Sequence, residues 1–217
     1  MIKSEQASRT ALQQTAEVKR ALGAVEHALL EKKPASVLVT SASADEGKTL
    51  CASAIAAAAA SSGACRVIAM DFNWYRPAMH HCFGEPLQHD AEKILRADLS
   101  ELVSRPGNLE LDVLFAPVDH ATHGNREQVD FGVVERLLKQ AKDSYDLVIV
   151  DSGAIFPTNR TMMDPVMLSR GVDGVVLVVA KGLSRKPSVR RAQTTLEIAG
   201  ANIIGILTNQ PDMSRSR

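Results

Sequence analysis

The loop from position 41 to position 50 carries residues whose types and spacing suit phosphate binding. It follows an uncharged, β-branched run at 36–40, and Gly47, Lys48 and Thr49 open an alanine-rich stretch that favours a helix. In such a strand, loop and helix arrangement, backbone N–H groups and the helix start attract negative charge. Lys48 would reach the terminal phosphates of a nucleotide, and the Thr49 hydroxyl would bind Mg²⁺. The predicted nucleotide-binding residues here are Ala44, Asp45, Glu46, Gly47, Lys48, Thr49 and Leu50.

Two residues of this loop differ from the usual phosphate-loop pattern. Ala42 stands where that pattern has its first glycine, and Asp45 brings a carboxylate into a loop built for anions. A carboxylate that pointed inward would repel the ligand, so we predict that the Asp45 side chain points outward. Aspartate tolerates the left-handed backbone that glycine often provides in such turns. The substitution is therefore expected to weaken nucleotide affinity somewhat and to leave the loop conformation intact.

Two aspartates end buried apolar runs elsewhere in the chain. Asp71 ends the run that starts at 66, and Asp151 ends the run that starts at 146. Ligands of open α/β sheets bind at the carboxyl ends of the strands, so both side chains are expected beside the phosphate loop. Asp151 would hold Mg²⁺ or orient the nucleophile and Asp71 would act as a base or metal ligand, whereas a helix cap is the alternative for either. The predicted catalytic residues are Lys48, Asp71 and Asp151, and the predicted metal ligands are Thr49, Asp71 and Asp151.

Alternating apolar and amphipathic segments indicate how these residues are positioned. Buried strands are predicted at 36–40, 66–71, 111–116, 146–151, 173–180 and 201–208. Helices are predicted at 49–62, 129–143 and 188–199, with a short one near 91–97. This alternation predicts an α/β three-layer fold of the P-loop type with a mostly parallel central sheet. The proline-containing segment 76–108 is predicted to be a surface excursion.

An amphipathic helix is predicted before the first strand. Val18, Leu22, Val25 and Leu29 recur at helical spacing, and Pro34 ends the pattern. The apolar stripe is narrow, which is typical of a helix that packs on one side only. The sequence thus predicts an N-terminal interaction helix at 1–33, a nucleotide-binding domain at 34–213 and a polar tail at 214–217.

The overall composition argues against several classes of protein. The 217 residues carry 25 Lys and Arg against 25 Asp and Glu, so no net charge is available to hold a polyanion. We therefore expect no nucleic-acid partner. No apolar run reaches the roughly 18 residues of a membrane-spanning helix, which predicts a cytoplasmic protein. Three cysteines without a C-x-x-C spacing indicate neither a disulfide framework nor a zinc site.

Three motifs of this chain together resemble those of a known family. The segments VLVTSASADEGKT, VIAMDFNWYRP and YDLVIVDSG are similar to motifs of the bacterial tyrosine kinases associated with polysaccharide copolymerases. This family is related to the partitioning and division-site ATPases, and the resemblance covers about residues 17 to 212. The matching residues are Glu46, Gly47, Lys48 and Thr49 in the first motif, Asp71, Arg76 and Pro77 in the second, and Tyr145, Asp146, Val148 and Asp151 in the third.

The resemblance implies a P-loop kinase that binds ATP or ADP with Mg²⁺ and transfers the γ-phosphoryl group in capsule or exopolysaccharide biosynthesis and export. The implied partner is the cytoplasmic segment of a membrane polysaccharide copolymerase, which would bring the chain to the inner membrane as a peripheral protein. Asn209 in GANIIGILTNQPD is the implied contact to adenine, with an ordinary turn residue as the alternative. Glu17 and Arg20 match the family's oligomerisation pattern, in which Gly23 replaces the last arginine, and they imply a homo-oligomer.

The chain also departs from the family pattern at functional positions. Asn73 stands where the second motif has its second aspartate, which removes a charge that would favour Mg²⁺. The final residues, NQPDMSRSR, contain no tyrosine cluster, and the two tyrosines of the chain are Tyr75 and Tyr145. One alternative is a catalytically weak, nucleotide-gated binding module or ATPase that regulates a membrane polysaccharide copolymerase. Another is a partitioning-type ATPase, which Ser43 disfavours because those relatives carry a lysine near that position.

Overall fold

A parallel sheet forms the centre of the molecule. The computed structural model describes residues 16–29, 32–118, 131–156 and 163–210. Six strands lie in the order β3-β2-β4-β1-β5-β6, and every neighbouring pair is parallel. The strands are β1 Ala35–Ser41, β2 Val67–Asp71, β3 Leu111–Leu114, β4 Leu147–Ala154, β5 Gly174–Ala180 and β6 Ile203–Asn209. The predicted α/β fold with a parallel sheet is confirmed.

Helices connect the strands and pack on both faces of the sheet. They are α1 Ala16–Ala28, α2 Lys48–Ser61, α3 Met79–Phe83, α4 Ala91–Arg96, α5 Phe131–Ser144, α6 Pro165–Leu168 and α7 Lys186–Ile198, with a 3₁₀ turn at Leu99–Glu101. The helices predicted at 49–62 and 188–199 correspond to α2 and α7, and the short one near 91–97 corresponds to α4. Of the helix predicted at 129–143, the first two residues lie outside the described part of the chain.

Each face of the sheet has its own hydrophobic core. On one face lie α1 and α2, and the buried side chains there include Leu22, Ile55 and Ile149. On the other face lie α5 and α7, with Leu137 and Leu196 among the buried side chains. Successive strand residues point to opposite faces, so a central strand covered on both sides has to be apolar throughout. This is why the strands appear in the sequence as continuous apolar runs.

Helix α2 carries the start of the nucleotide site and lies close to the sheet. Residues 56–60 are all alanine, and α2 is buried along nearly its whole length. Alanine favours the helix and lets its backbone approach the strands. Helix α1 covers the outer side of α2 with the buried side chains of Leu22 and Val25. The first turn of α2, with Lys48 and Thr49, is thereby fixed against the sheet.

Strand β4 is longer than the sequence predicts. It does not end at Asp151 but continues to Ala154, because Ser41 of β1 pairs with Ala154 after a local shift in register. Asp151 therefore lies inside β4, directly opposite Asp71, the last residue of β2. The carbonyl of Asp151 also accepts a hydrogen bond from the N–H of Phe72 at 2.9 Å. The backbone of Asp151 is thus held by the sheet.

The prediction of a surface excursion at 76–108 is wrong for much of that segment. Met79 and Phe83 of α3 are buried in the core that contains α2. Ile94 of α4, together with Leu99 and Leu102, is buried in the core on the other face. Each helical piece is too short to show a clear periodicity, so the sequence pattern did not reveal its buried side. The segment forms part of both cores near β2 and β3.

The described part of the N-terminal helix is α1, as the apolar spacing predicts. Glu17, Arg20 and Gly23 are exposed on α1. Residues 1–15 and 30–31 of the predicted interaction helix, and the predicted tail at 214–217, lie outside the described residues. Among the described residues, no helix has both the length and the apolar character needed to cross a bilayer.

Two strand glycines should differ in how well they tolerate an added methyl group. A Cβ at Gly174 of β5 would lie 2.8 Å from Cγ2 of Ile204, whereas a Cβ at Gly205 of β6 would meet nothing within 4 Å. Gly174→Ala should therefore lower the free energy of unfolding by about 1–3 kcal/mol through overpacking. Gly205→Ala is the matched control and should change it by less than about 0.5 kcal/mol. Urea unfolding measures both, and equal effects would contradict this account of the β5 and β6 packing.

Candidate active site

The phosphate loop lies between β1 and α2 and contains two left-handed residues. Asp45 has a φ of 62° and Gly47 a φ of 84°. A side chain at Gly47 would collide with Nδ2 of Asn209, so glycine is required there by space as well as by backbone conformation. The Asp45 side chain is 73% exposed but still lines the mouth of the cavity, and it lies 3.5 Å from the guanidinium of Arg76. The loop conformation tolerates Asp45 because aspartate can adopt the left-handed backbone, as the sequence analysis predicts.

Glu46 holds the loop in shape from below. Its side chain is buried, and Oε2 accepts a hydrogen bond from the N–H of Ser43 at 2.8 Å. Oε1 accepts a short hydrogen bond from the hydroxyl of Ser184. This hydroxyl in turn accepts from the N–H of Ala180 at 2.7 Å. Glu46 was predicted to bind nucleotide, but its side chain supports the loop and does not line the cavity.

Asn209, at the end of β6, also contacts the loop. Its side-chain Nδ2 donates to the carbonyl of Glu46 at 3.1 Å and packs against Gly47. This contact gives Asn209 a role in positioning the loop that the sequence did not reveal. Neither Ser184 nor Asn209 is near the loop in sequence, and only the folded sheet brings them there. The contact of Asn209 with adenine stays a prediction.

Two carboxylates lie side by side beneath the loop. Asp71 and Asp151 are register partners on β2 and β4, and both are fully buried. The hydroxyl of Thr49 donates to Oδ2 of Asp151 at 2.6 Å. Oδ1 of Asp151 is buried and has no hydrogen-bond partner among the described atoms. The structure thus brings together Lys48, Thr49, Asp71 and Asp151, which the sequence predicted as one site.

Burial dominates the electrostatics of this carboxylate pair. Burial raises the pKa of Asp71 to about 6, although backbone N–H groups of Asn73 and Met79 and the charge of Lys48 oppose that rise. Burial and the neighbouring charge of Asp71 raise the pKa of Asp151 well above its ordinary value. Thr49 and Lys48 act in the other direction on Asp151. The pair therefore has too little compensating positive charge in the free protein.

The oxygen atoms available at this site are of the kind that binds Mg²⁺. Magnesium takes oxygen ligands and in nucleotide sites uses one or two protein ligands, with phosphates and water completing the shell. The Thr49 hydroxyl and the unpartnered Oδ1 of Asp151 offer such oxygens at one place. No group of three or more His, Cys, Asp or Glu side chains in the described part of the chain is arranged for a metal. A cation here would depend on the nucleotide phosphates for its remaining ligands.

Backbone donors occupy both carboxylate oxygens of Asp71. Oδ1 accepts from the N–H of Asn73 at 3.0 Å, and Oδ2 accepts from the N–H of Met79 at 3.3 Å. Neither Asp71 nor Asp151 is among the residues that line the cavity, but Asp151 has one unpartnered oxygen and Asp71 has none. The carbonyl of Asp71 is also occupied, because the indole N–H of Trp74 donates to it at 2.9 Å. These hydrogen bonds favour Asp71 as a buried charge beside Asp151 over Asp71 as a base that contacts the acceptor.

A cavity of about 1000 Å³ opens beside the loop. Gly47, Lys48 and Thr49 line it on the loop side. The segment that follows β2 supplies much of the remaining wall, which the sequence did not predict. The wall residues from this segment are Asn73, Tyr75, Arg76, Pro77, Ala78, His80, His81, Cys82 and Leu87. This volume lies at the upper end of the range of roughly 300–1000 Å³ that is usual for small-molecule sites.

The two tyrosines have different surroundings. Tyr75 lines the cavity and is 37% exposed. Tyr145 precedes β4, at the opposite end of the sheet, and its hydroxyl donates to Oδ2 of Asp112 at 2.8 Å. Burial and this hydrogen bond raise the pKa of Tyr145. Only Tyr75 of the two therefore shares a cavity with the phosphate loop.

Curated proteins with similar sequences are mainly tyrosine-protein kinases. Tyrosine-protein kinase etk of Escherichia coli K12 is 30% identical over 187 residues, covering 84% of this chain and 24% of Etk. Tyrosine-protein kinase YwqD of Bacillus subtilis is 26% identical over 196 residues, covering 88% of this chain and 78% of YwqD. The succinoglycan biosynthesis transport protein ExoP of Rhizobium meliloti is 23% identical over 185 residues, or 82% of this chain and 22% of ExoP. The chain thus spans about a quarter of Etk and of ExoP. No protein-family model matches the chain.

Solved structures with the same fold include kinase domains and a septum site-determining protein. The kinase domain of E. coli Etk has a TM-score of 0.72 and 25% identity, covering 92% of this chain and 76% of that one. The VpsO kinase domain has a TM-score of 0.77 and 23% identity, covering 96% and 97%. The septum site-determining protein MinD of Pyrococcus horikoshii, complexed with Mg-ADP, has a TM-score of 0.62 and 18% identity, covering 79% and 68%. The chain has the fold of these P-loop proteins.

Removing the charge of Asp151 should stabilise the free protein at high pH. An aspartate has a pKa near 3.9 when unfolded, and both buried carboxylates have higher values when folded. Between these pKa values the folded state binds more protons than the unfolded state. The stabilisation that comes from protonating the two carboxylates is therefore complete below about pH 4 and is lost as the pH rises through about 6 and above. Asp151→Asn should raise the free energy of unfolding at pH 8 above that of the wild type, because the amide cannot ionise beside the buried Asp71.

Urea unfolding at pH 5 and pH 8, with and without Mg²⁺ and ADP, tests this expectation. The wild type should gain stability from Mg²⁺ and ADP, and Asp151→Asn should gain much less. The matched control is Asp146→Asn. Arg66 lowers the pKa of Asp146, so removing the Asp146 carboxylate should reduce the free energy of unfolding at pH 8. A lower stability of the free Asp151→Asn protein at pH 8 would contradict the predicted burial cost.

Proposed function

Because this chain is a homologue of the bacterial tyrosine-protein kinases, we propose that it binds ATP with Mg²⁺ and transfers the γ-phosphoryl group. The observation that carries the proposal is the hydrogen bond of 2.6 Å between Thr49 and Asp151, beside the buried Lys48. This contact joins the phosphate loop to the strand that carries the predicted Mg²⁺ carboxylate. A chance glycine, lysine and threonine sequence at a helix start would not require such a partner.

The residues of the site suit phosphoryl transfer by positioning and charge. In the transfer, the acceptor oxygen forms a bond to the γ-phosphorus while the bond to the β,γ-bridging oxygen breaks. ADP leaves, and the acceptor hydroxyl releases its proton to water. Loop N–H groups would hold the phosphates, and Lys48 would neutralise charge on the γ-phosphate. Thr49 and Asp151 would hold Mg²⁺, which when bound neutralises charge that develops on the phosphate oxygens. Asp71 would support the negative field that attracts the cation.

We propose polysaccharide biosynthesis and export as the setting, since one relative is a succinoglycan biosynthesis transport protein. The proposed partner is the cytoplasmic segment of a membrane polysaccharide copolymerase, which would bring a cytoplasmic chain to the inner membrane. Residues 34–213 would form the nucleotide-binding domain and 214–217 a polar tail. Helix α1 would serve self-association, because Glu17 and Arg20 are exposed on it.

A second candidate function is a nucleotide-gated binding module with weak or no phosphoryl transfer. Asn73 supports this candidate, because its side-chain amide donates to the carbonyl of Arg76 at 2.9 Å and supplies no charge to a cation. Asp71, whose two oxygens accept backbone N–H groups, also offers no base to an acceptor in the cavity. A partitioning-type ATPase would share this fold and would need no tyrosine acceptor.

Lys48→Ala should abolish nucleotide turnover. The purified chain, incubated with Mg²⁺ and ATP, is assayed by intact mass and by ADP release. Loss of the Lys48 charge should reduce both products at least about 100-fold, because phosphoryl transfer depends on electrostatic stabilisation. Lys142→Ala is the control, since Lys142 pairs with Asp173 at the other end of the sheet. ADP without a phosphoryl adduct would favour an ATPase, and equal ATP affinity of wild type and Lys48→Ala would refute nucleotide binding at this loop.

Any phosphotyrosine formed within the chain should map to Tyr75. Tyr75 lines the cavity beside the phosphate loop, whereas the Tyr145 hydroxyl is bonded to Asp112 at the other end of the sheet. Peptide mapping of the adduct should therefore show loss of phosphate in Tyr75→Phe and an unchanged level in Tyr145→Phe. Phosphate on Tyr145 would require an opening of its contacts and would show that this assignment is wrong.

A further inference from the structure

An ion pair joins the phosphate loop to the segment that follows β2. Nη2 of Arg76 lies 3.5 Å from Oδ1 of Asp45, and both residues line the nucleotide cavity. The two side chains are largely exposed, at 59% for Arg76 and 73% for Asp45. The contact therefore lies at the mouth of the cavity, where an incoming nucleotide would meet it.

The backbone of Arg76 is fixed by a hydrogen-bonded turn. The side-chain amide of Asn73 donates to the carbonyl of Arg76 at 2.9 Å, and the N–H of Arg76 donates to the carbonyl of Asn73 at 3.1 Å. The N–H of Asn73 in turn donates to Oδ1 of Asp71, which anchors the turn to β2. The carboxylate of an aspartate at position 73 would have no side-chain N–H to donate to the carbonyl of Arg76. Asn73 thus positions the base of the Arg76 side chain beside the loop.

The charges along the cavity leave Arg76 available to an anion. Among the described residues that line it, Lys48 is the one lysine, Arg76 the one arginine and Asp45 the one carboxylate. Asp45 precedes Gly47 by two residues, so their Cα atoms are at most about 7.6 Å apart. A change in the conformation of the Arg76 side chain would therefore bring its guanidinium from Asp45 to a phosphate held at the start of α2.

We propose that Arg76 binds the terminal phosphate of a nucleoside triphosphate, and that Asp45 holds the Arg76 guanidinium beside the loop until the nucleotide arrives. The proposal rests on the nucleotide binding proposed above. A guanidinium offers two parallel N–H donors to phosphate oxygens, whereas an exposed ion pair with a carboxylate is weak and exchanges readily. A diphosphate ends one phosphate earlier and would leave Arg76 on Asp45. Arg76 would therefore distinguish triphosphate from diphosphate, and Asp45 would lower the affinity for triphosphate.

Calorimetric titration of the full chain with AMP-PNP or ADP, each with Mg²⁺, tests the role of Arg76. Arg76→Ala should weaken AMP-PNP binding about tenfold and ADP binding less than about twofold, as expected for one lost charge-assisted phosphate contact. Arg66→Ala is the matched control, because Arg66 is 66% exposed and pairs with Asp146 at the opposite end of the sheet. It should leave both affinities unchanged. Equal weakening of AMP-PNP and ADP by Arg76→Ala would overturn the proposal.

Asp45→Asn tests the holding contact, because asparagine keeps the left-handed backbone and removes only the charge. It should tighten AMP-PNP binding about two- to fivefold in the wild-type background, the range expected for loss of a weak exposed pair. In the Arg76→Ala background the gain should fall, and what remains should be similar for AMP-PNP and ADP. The same gain in both backgrounds would show that Asp45 acts only by repelling phosphate, and would overturn its holding role.

Failure of this inference is distinguishable from failure of nucleotide binding itself. If the wild type binds neither nucleotide, or if Lys48→Ala leaves affinity unchanged, the proposed function and the inference fall together. If binding depends on Lys48 but the ratio of AMP-PNP to ADP affinity is the same in wild type and Arg76→Ala, only the inference falls. Thermal unfolding of each variant confirms that affinity changes do not arise from loss of the fold.

Discussion

The burial of two carboxylates side by side, Asp71 and Asp151, is the constraint on which this site depends. Neighbouring parallel strands place them opposite each other, and burial raises the pKa of both. Buried charges of like sign are unfavourable unless cations or hydrogen bonds compensate them. Backbone N–H groups satisfy Asp71, and Thr49 satisfies one oxygen of Asp151. The remaining Oδ1 of Asp151 has no hydrogen-bond partner among the described atoms, so we propose it as the cation ligand and expect its burial to lower the stability of the free protein.

The phosphate loop keeps its shape through contacts from distant parts of the chain. Glu46 is bonded to Ser184, which follows β5, and Asn209 at the end of β6 packs on Gly47. The alanine-rich α2 lies close enough to the sheet to bring Thr49 to Asp151. Parallel strands end at one edge of the sheet, so these separate segments meet there. The sheet thus positions the loop, the helix start and the carboxylates together.

The departures of this chain from the family pattern lie mainly on one side of the cavity. On the side where we propose that the nucleotide binds, the residues that the resemblance implies are present, namely Lys48, Thr49 and Asp151. Asn73 and the exposed Tyr75 lie on the segment after β2, where a second substrate would approach. Nucleotide binding therefore has stronger support than any particular phosphoryl acceptor. The kinase and the nucleotide-gated module differ in what this second side of the cavity does.

The sequence by itself determined the fold class, the strands and the identity of the phosphate loop. Continuous apolar runs and an alanine-rich helix are local patterns, and the motif around Lys48 requires that local setting. The sequence also predicted that Asp71 and Asp151 lie near the loop, since strand ends share one edge. It did not reveal that Asp151 lies within β4, because the length of that strand depends on pairing with β1.

Only the tertiary structure decided the roles of individual side chains. In the folded chain, the Glu46 side chain supports the loop, and parts of 76–108 are buried in both cores. Tyr75 and Tyr145 lie at opposite ends of the sheet. These outcomes depend on partners far away in sequence and on register between strands. Periodicity and spacing report which face of an element is apolar, but they do not report which residue lies opposite it.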